Sequence, residues 1–291
     1  MNPYHFNKKG TETTVLRISG DVPVIQFKSF RDLPWLTHGF STRMGGVSAP
    51  PFDSMNLSFT RGDDEADVME NFKRFGKAVG VLTSQMVFSD QTHTANVGIV
   101  TEEDLGKGIL KPKDYTDIDG LVTNCPGACL VTFFADCVPL FFADPVKKVI
   151  GLSHSGWRGT VGKIGKKTVE LMAERFGSDP GDILAAVGPS VCMDCYEVSG
   201  DVIERVKEAF AEPLWDQLFY RKPDGKYQLD LWKANEWIFR EAGIAEEHIA
   251  VTNVCTHCNS DILYSHRAAG DQRGNLCAFL ALKQTTGGGS E

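Results

Sequence analysis

Two kinds of hydrophobic pattern alternate along the chain, and each predicts a different element. The stretches VPVIQF (22–27), MVFSDQTH (86–93), CLVTFFAD (129–136), VPLFFAD (138–144), KVIGLSH (148–154), DILAAVG (182–188), IAVTNV (249–254) and NLCAFLAL (275–282) are short, rich in Val, Ile, Leu and Phe, and bounded by turn residues. They predict strands. VPLFFADPVKKVIGLSH reads as a hairpin with DPVKK as its turn. Four longer stretches carry apolar residues at helical spacing: DEADVMENFKRFGKAVG (64–80), GKIGKKTVELMAERF (162–176), SGDVIERVKEAF (199–210) and LDLWKANEWIFREAG (229–243). In the first, Val68, Met69, Phe72, Phe75 and Val79 make one stripe. Hairpins mixed with helices predict an α/β fold with mixed or antiparallel sheets, not a purely parallel βαβ chain. No repeat of fixed period and no long linker divides the chain, and the longest polar stretch, 101–120, reads as a loop. One domain over 1–283 is expected, with a flexible tail at 284–291 whose composition is Gly- and Thr-rich.

The bulk numbers narrow the function classes. With 42% hydrophobic residues and 18 Phe among 291, the chain can bury a sizeable core. A net charge of −8 argues against nucleic acid or an anionic membrane as partner, because phosphates are repelled on average. A small local anion site remains compatible with it. The N-terminal MNPYHFNKKGTETTVLRI lacks the apolar core of a signal peptide, and no run approaches membrane-spanning length. A cytoplasmic location is therefore expected, with the eight cysteines reduced.

Chemistry concentrates where apolar runs break. His93 closes MVFSDQTH, His154 closes KVIGLSH, and Cys137 interrupts FFADCVPLFF. If these strand ends share one rim, two imidazoles and a thiolate make a zinc set with an open fourth position. Their separations match no short zinc motif, and a buried Cys137 with two core histidines is the alternative reading. Of the other histidines, His5 and His248 read as structural or solvent-facing. A rival metal set is Cys192-Met-Asp-Cys195 with Cys255-Thr-His-Cys258, which could be a closed four-cysteine zinc site, a redox pair or separate buried thiols. Neither GxGxxG nor GxxxxGK[ST] occurs. The turn GWRGTVG has glycines at 156, 159 and 162 ahead of a helix, which suits either an anion or close packing. HGFSTRMGGVS offers Arg43 beside Ser41 and Thr42, a fork for phosphate or carboxylate, unless Arg43 holds a structural carboxylate. Asp119, Asp136 and Asp261 are acids at further breaks.

HGFSTRMGGVS, QTH, DGLVT, ADCVPLFFAD, HSGWRGTVGKI, GPSVCMDCYEV, DLWKAN and SHRAAGDQRGNLCAFLAL follow in order over roughly residues 35–283. In these motifs the chain resembles the bacterial YfiH/YlmD-like proteins, related to the human laccase domain-containing protein. The resemblance implies an α/β sandwich, a mixed-sheet core flanked by helices, like the cytotoxic necrotizing factor catalytic domain. It implies zinc ligands at the histidine of QTH, the cysteine of ADC and the histidine of HSGWRG, which are His93, Cys137 and His154. Copper in the same site is compatible with it. It further implies a monomer acting on purine nucleosides and phosphate: phosphorolysis of adenosine, inosine, guanosine and methylthioadenosine, and deamination of adenosine.

That ligand set suits the deaminase chemistry, since zinc lowers the pKa of water toward about 7 for attack on C6 of adenine. The HxE…PCxxC deaminase signature is absent. Phosphorolysis asks for a bound phosphate and a polarised leaving group. Arg43 with Ser41 is the phosphate candidate, Arg158 a pocket-wall and anion candidate, and Asp136 the candidate for proton handling or ligand orientation. The family also suggests peptidoglycan-precursor editing, a hydrolase removing a misplaced serine, and a copper polyphenol oxidase. A laccase needs a trinuclear cluster as well as a two-His, one-Cys centre, and seven histidines with no His-Cys-His tripeptide serve both poorly. A non-enzymatic scaffold with a structural zinc is the remaining alternative.

Overall fold

A computed structural model describes residues 6–284, so His5 and the tail from residue 285 lie outside the described residues. Two six-stranded mixed sheets face each other. The first runs in the order β1 (Thr14–Ser19), β2 (Val22–Phe27), β3 (Leu36–Ser41), β15 (Leu276–Leu282), β7 (Cys129–Phe134) and β4 (Met86–Phe88). The second runs β14 (Ile249–Val251), β10 (Leu184–Val187), β8 (Val138–Asp144), β9 (Val149–Ser155), β6 (Gly120–Thr123) and β5 (Val97–Ile99). A small third sheet orders β11 (Glu197–Val198), β13 (Tyr227–Leu229) and β12 (Phe219–Arg221).

Both faces of the central strands are buried, which is why they read as continuous apolar runs instead of alternating ones. In β15, Leu276, Ala278, Leu280 and Leu282 enter the core between the sheets, while Cys277, Phe279 and Ala281 face a helix on the other side. Size, not polarity, therefore sets the register there. The helix Glu65–Val79 covers the first sheet, burying Val68, Phe72, Phe75 and Val79, with Met69 at its margin. Asp64 caps it by accepting from the Ala66 amide at 2.7 Å, and Gly80 at φ +79° ends it in the left-handed turn that glycine favours. Helices Ile164–Phe176, Gly200–Ala209 and Leu231–Glu241 cover the second sheet. The result is the sandwich expected from the resemblance, with sheets inside and helices outside.

Three features of this frame place the site. Ala135–Asp136–Cys137 carries the chain from β7 in one sheet to β8 in the other, with Asp136 at φ +87°. The β8–β9 hairpin forms as the pattern predicts, its turn held by Asp144, which accepts from the Val146 and Lys147 amides at 2.8 and 2.9 Å. Its register, Val138 opposite Ser155 and Pro139 opposite His154, brings His154 to the same end as Cys137. The third feature departs from expectation. MVFSDQTH is strand only over Met86–Phe88, so His93 lies in a loop, at φ +65°, and not at a strand end.

Candidate metal centre and its cavity

His93, Cys137 and His154 converge, with one ligand atom of each within 4.8 Å of the others. The two imidazole rings stand 4.9 Å apart and 83° to one another. A tetrahedral ion with bonds of roughly 2.0–2.3 Å places its donors about 3.3–3.6 Å apart, so the cluster fits a metal with little adjustment. Cys137 stands where the chain crosses between sheets, and His154 is fixed in β9 and 3% exposed. His93 is the exposed member.

Asp119 explains why His93 leaves the strand. It is fully buried, just ahead of β6, and five donors converge on its carboxylate. Oδ2 accepts from the amides of Thr92 (3.1 Å) and Thr94 (2.9 Å) and from the Thr94 hydroxyl (2.9 Å). Oδ1 accepts from the His93 amide (3.1 Å) and pairs with His154 Nδ1 (2.8 Å). One carboxylate thus winds the His93 loop and fixes the tautomer of His154, leaving Nε2 toward the cluster, as carboxylates commonly do behind ligating histidines. Without a metal, the group is a charged network. Burial raises the Cys137 thiol, but His154 and then His93 outweigh it and bring it to about 6. Burial lowers His154, but Cys137 and Asp119 outweigh it and lift it to about 9. Burial likewise opposes the charge of Asp119, yet His154 and the loop amides hold it at about 2.

The glycines of GWRGTVG are used for approach. A β-carbon on Gly156 would stand 3.0 Å from Cys137 Sγ and 3.2 Å from His93 Cδ2. On Gly159 it would meet Thr94 O at 3.4 Å, and on Gly162 the Ala95 β-carbon at 2.9 Å. The turn after β9 therefore packs against the loop that carries His93, which favours the close-packing reading of these glycines.

The cluster opens into a cavity of about 480 Å³. Phe59, Phe88, Phe133 and Phe134 supply apolar wall, and Arg61, Lys113 and Arg273 bring cationic groups to it. Lys113 is paired with Asp90. Arg61 donates to Asp271 O at 2.8 Å and stands beside Arg273, whose pKa burial and then Arg61 depress. Buried Arg273 Nε has no hydrogen-bond partner. Arg61 also pairs with the Asp271 carboxylate at 3.3 Å, and Arg273 donates to Gly274 O at 3.0 Å and to Asn275, so the two neighbouring guanidiniums put partly paired positive charge on one wall of the cavity, which the motif reading missed. Nothing in the sequence ties Arg61 to Arg273, about two hundred residues further along the chain.

The other expected residues sit elsewhere. Arg43 donates to Asp53 O (2.9 Å) and Ser260 O (3.2 Å), pairs with the Asp53 carboxylate (3.1 Å) and does not line the cavity. Its phosphate role finds no support in this geometry, because the guanidinium is already engaged; the structural-carboxylate alternative describes it. Ser41 is fully buried, its hydroxyl accepting from the Cys277 amide at 2.9 Å. Arg158 is exposed over Trp157, 4.4 Å from the ring centroid, and outside the cavity lining. Asp136 has both oxygens occupied, by the Thr256 hydroxyl (2.6 Å) and the Arg267 amide (2.7 Å). Of its two expected roles, that geometry suits holding the crossing beside Cys137 and not moving protons. His38 is a core histidine: its Nε2 accepts from the Phe27 amide at 2.8 Å, and burial, then Arg31, lower it to about 3.

The profile of the multi-copper polyphenol oxidoreductase laccase family matches residues 37–283. The chain belongs to that family. Within and beside the laccase family, purine nucleoside phosphorylase YlmD of Bacillus subtilis is 39% identical over 251 residues, 84% of this chain and 88% of the relative. Adenosine deaminase RL5, from an unknown prokaryotic organism, is 33% identical over 237 residues, 81% of this chain and 90% of the relative. The crystal structure of Bacillus licheniformis hypothetical protein YfiH superposes with a TM-score of 0.86 at 32% identity, covering 92% of this chain and 99% of that one. Despite the family's name, among the described residues the potential ligand groups are the His-Cys-His cluster and a four-cysteine cluster, and neither is the histidine-rich set of a trinuclear copper centre. Among the described residues, no helix is long and apolar enough to cross a membrane.

Proposed function

We propose that this laccase-family chain is a cytoplasmic, zinc-dependent purine nucleoside enzyme that phosphorolyses adenosine, inosine, guanosine and methylthioadenosine and deaminates adenosine. The observation that carries the reading is one cavity joining the His93–Cys137–His154 cluster to the Arg61–Arg273 pair. Its volume, about 480 Å³, lies in the range of small-molecule sites. The names of the relatives, a purine nucleoside phosphorylase and an adenosine deaminase, support the same substrate class.

In this reading Arg61 and Arg273, both at the cavity wall, bind phosphate and offset its charge. Phe59 and Phe133 offer apolar surface to the purine, and the phenylalanine wall excludes water from the reacting bond. Held by His93, Cys137 and His154, zinc would supply a Lewis acid and activate water for deamination. Asp119 keeps the His154 Nδ1 proton on its far side, so Nε2 stays a donor toward the site. Asp136, fixed by Thr256 and Arg267, holds the backbone that presents Cys137. Copper suits the same three donors, and metal analysis separates the two.

The test incubates the metal-loaded protein with adenosine, with and without phosphate, beside a Cys137→Ala variant, and follows products by chromatography. Phosphate-dependent adenine together with inosine, both lost in the variant, is the expected result. No product from protein carrying one metal per chain in the His-Cys-His cluster would overturn the proposal.

A further inference from the structure

The two Cys-x-x-Cys pairs, sixty residues apart at their nearest cysteines, meet on the second-sheet side of the molecule. The sulfurs of Cys192, Cys195, Cys255 and Cys258 all lie within 4.8 Å of one another. Cys195 and Cys258 approach to 3.5 Å, well beyond a disulfide bond of about 2.05 Å and near the roughly 3.8 Å between thiolates on one tetrahedral zinc. Each pair is wound into a short turn, Met193–Cys195 and His257–Asn259. Two backbone amides, Cys192 N at 3.3 Å and Cys258 N at 3.4 Å, point at Cys255 Sγ, and such N–H···S contacts stabilise a thiolate over a thiol. Lys9, paired with Asp194, reaches the Cys192 side chain and adds positive charge beside the cluster.

We propose that Cys192, Cys195, Cys255 and Cys258 form a closed four-thiolate zinc site, separate from the cavity cluster and structural in role. Four protein donors complete a tetrahedron and leave no position for substrate. Cys192 and Cys255 are 3% and 0% exposed, and none of the four lines the cavity. Binding displaces the remaining thiol protons to solvent and changes no oxidation state.

The site clamps the backbone behind the cavity. Thr256 N donates to Ser190 O at 3.1 Å, Val191 N to Asp136 O at 3.0 Å, and the Thr256 hydroxyl to the Asp136 carboxylate at 2.6 Å. The residues flanking Cys192 and Cys255 are thus the ones that grip Asp136, the neighbour of Cys137. One metal site holds in place the loop that contributes a donor to the other.

The full chain is produced with zinc as wild type and as a His93→Ala/His154→Ala double variant, which lacks two cavity donors. Element analysis is expected to find two zinc per wild-type chain and one in the double variant. Cobalt substitution of that variant is expected to give the sulfur-to-cobalt charge-transfer band and strong visible absorption of a four-thiolate tetrahedral site. Adding Cys195→Ser and Cys258→Ser should abolish that spectrum. If those changes prevent folding, the stoichiometry of the double variant decides alone. A double variant with no metal and all eight thiols free, one with a Cys195–Cys258 disulfide, or one carrying iron instead of zinc would each overturn the proposal. Because the double variant lacks two of the three cavity donors, the outcome is independent of the nucleoside reading.

Discussion

Replacing Asp119 by Asn keeps the shape of the side chain and reverses the sense of half its hydrogen bonds. Five donors face the carboxylate, at 2.8 to 3.1 Å. An amide has one acceptor oxygen, and its NH₂ must face donors. Placed at the Oδ2 position, the NH₂ confronts the amides of Thr92 and Thr94 and loosens the loop that carries His93. Placed at Oδ1, it confronts the His93 amide and forces His154 into the tautomer whose Nε2 carries a proton, which removes it as a donor to metal. Two orphaned N–H groups at about 1–3 kcal/mol each, in a fully buried position, amount to about 2–6 kcal/mol, with a middle value of about 4. Charge linkage alone is smaller. The carboxyl sits at about 2 against an ordinary 3.8, so its ionisation contributes about 2 kcal/mol, present above about pH 4 and lost as pH falls through 2. The mismatch of donors therefore dominates, and the gap between wild type and variant narrows only in strong acid. Urea unfolding of the metal-free proteins measures the first effect. Competition with a chelator measures the second, an expected 10- to 100-fold loss of metal affinity, the range typical of such outer partners. A folded Asp119→Asn protein with metal affinity within about twofold of wild type would refute the reasoning, and would leave Asp119 as a brace for the loop alone. Thr94→Val serves as control: it removes the hydroxyl that donates to Asp119 and Asp117 O and accepts from the Asn96 amide, costs about 1–2 kcal/mol and leaves metal affinity unchanged.

Arg61→Ala and Arg273→Ala are each expected to raise the KM for phosphate about 10- to 100-fold, the worth of one charge-assisted contact, in steady-state assays. Arg43→Ala should leave that KM near wild type, since Arg43 is bound to Asp53 and Ser260 away from the cavity. Gly156→Ala drives a methyl to 3.0 Å from Cys137 Sγ and is expected to lower metal occupancy, measured by element analysis, with little change in thermal unfolding of the metal-free protein. In metal-free protein, alkylation of Cys137 followed by peptide mass spectrometry should rise with a midpoint near pH 6, because His154 and His93 hold its thiolate; a midpoint near 9 would show the pair is not formed.

Local pattern was enough for the helices and most strands, and resemblance named the candidate metal donors. All four predicted helices form within a few residues of their expected ends, because helical spacing, the Asp64 and Asp230 caps and the terminal Gly80 act within one turn of chain. The β8–β9 hairpin follows from two apolar runs around DPVKK for the same reason. The motifs QTH, ADC and HSGWRG carried His93, Cys137 and His154 by resemblance, and the fold brings them together. Strands such as Leu36–Ser41 escaped the pattern because Thr37, His38 and Gly39 interrupt it, and they gain their order from neighbours on both sides. Interactions across long stretches of chain had no such local mark. Asp119 was one acid among several at breaks in apolar runs, and its role arises from a loop and a strand that meet it from 25 residues before and 35 after. Arg61 and Arg273 become a pair because strand order places β15 between β3 and β7, and that order depends on how apolar faces of two sheets fill one core. Arg43 shows the converse: its motif was conspicuous, and its charge is spent on Asp53. Residue types and short-range spacing settle what a segment is, since propensity and capping are local; which buried charge meets which donor is settled by packing, because that energy exists only once distant segments share a desolvated interior.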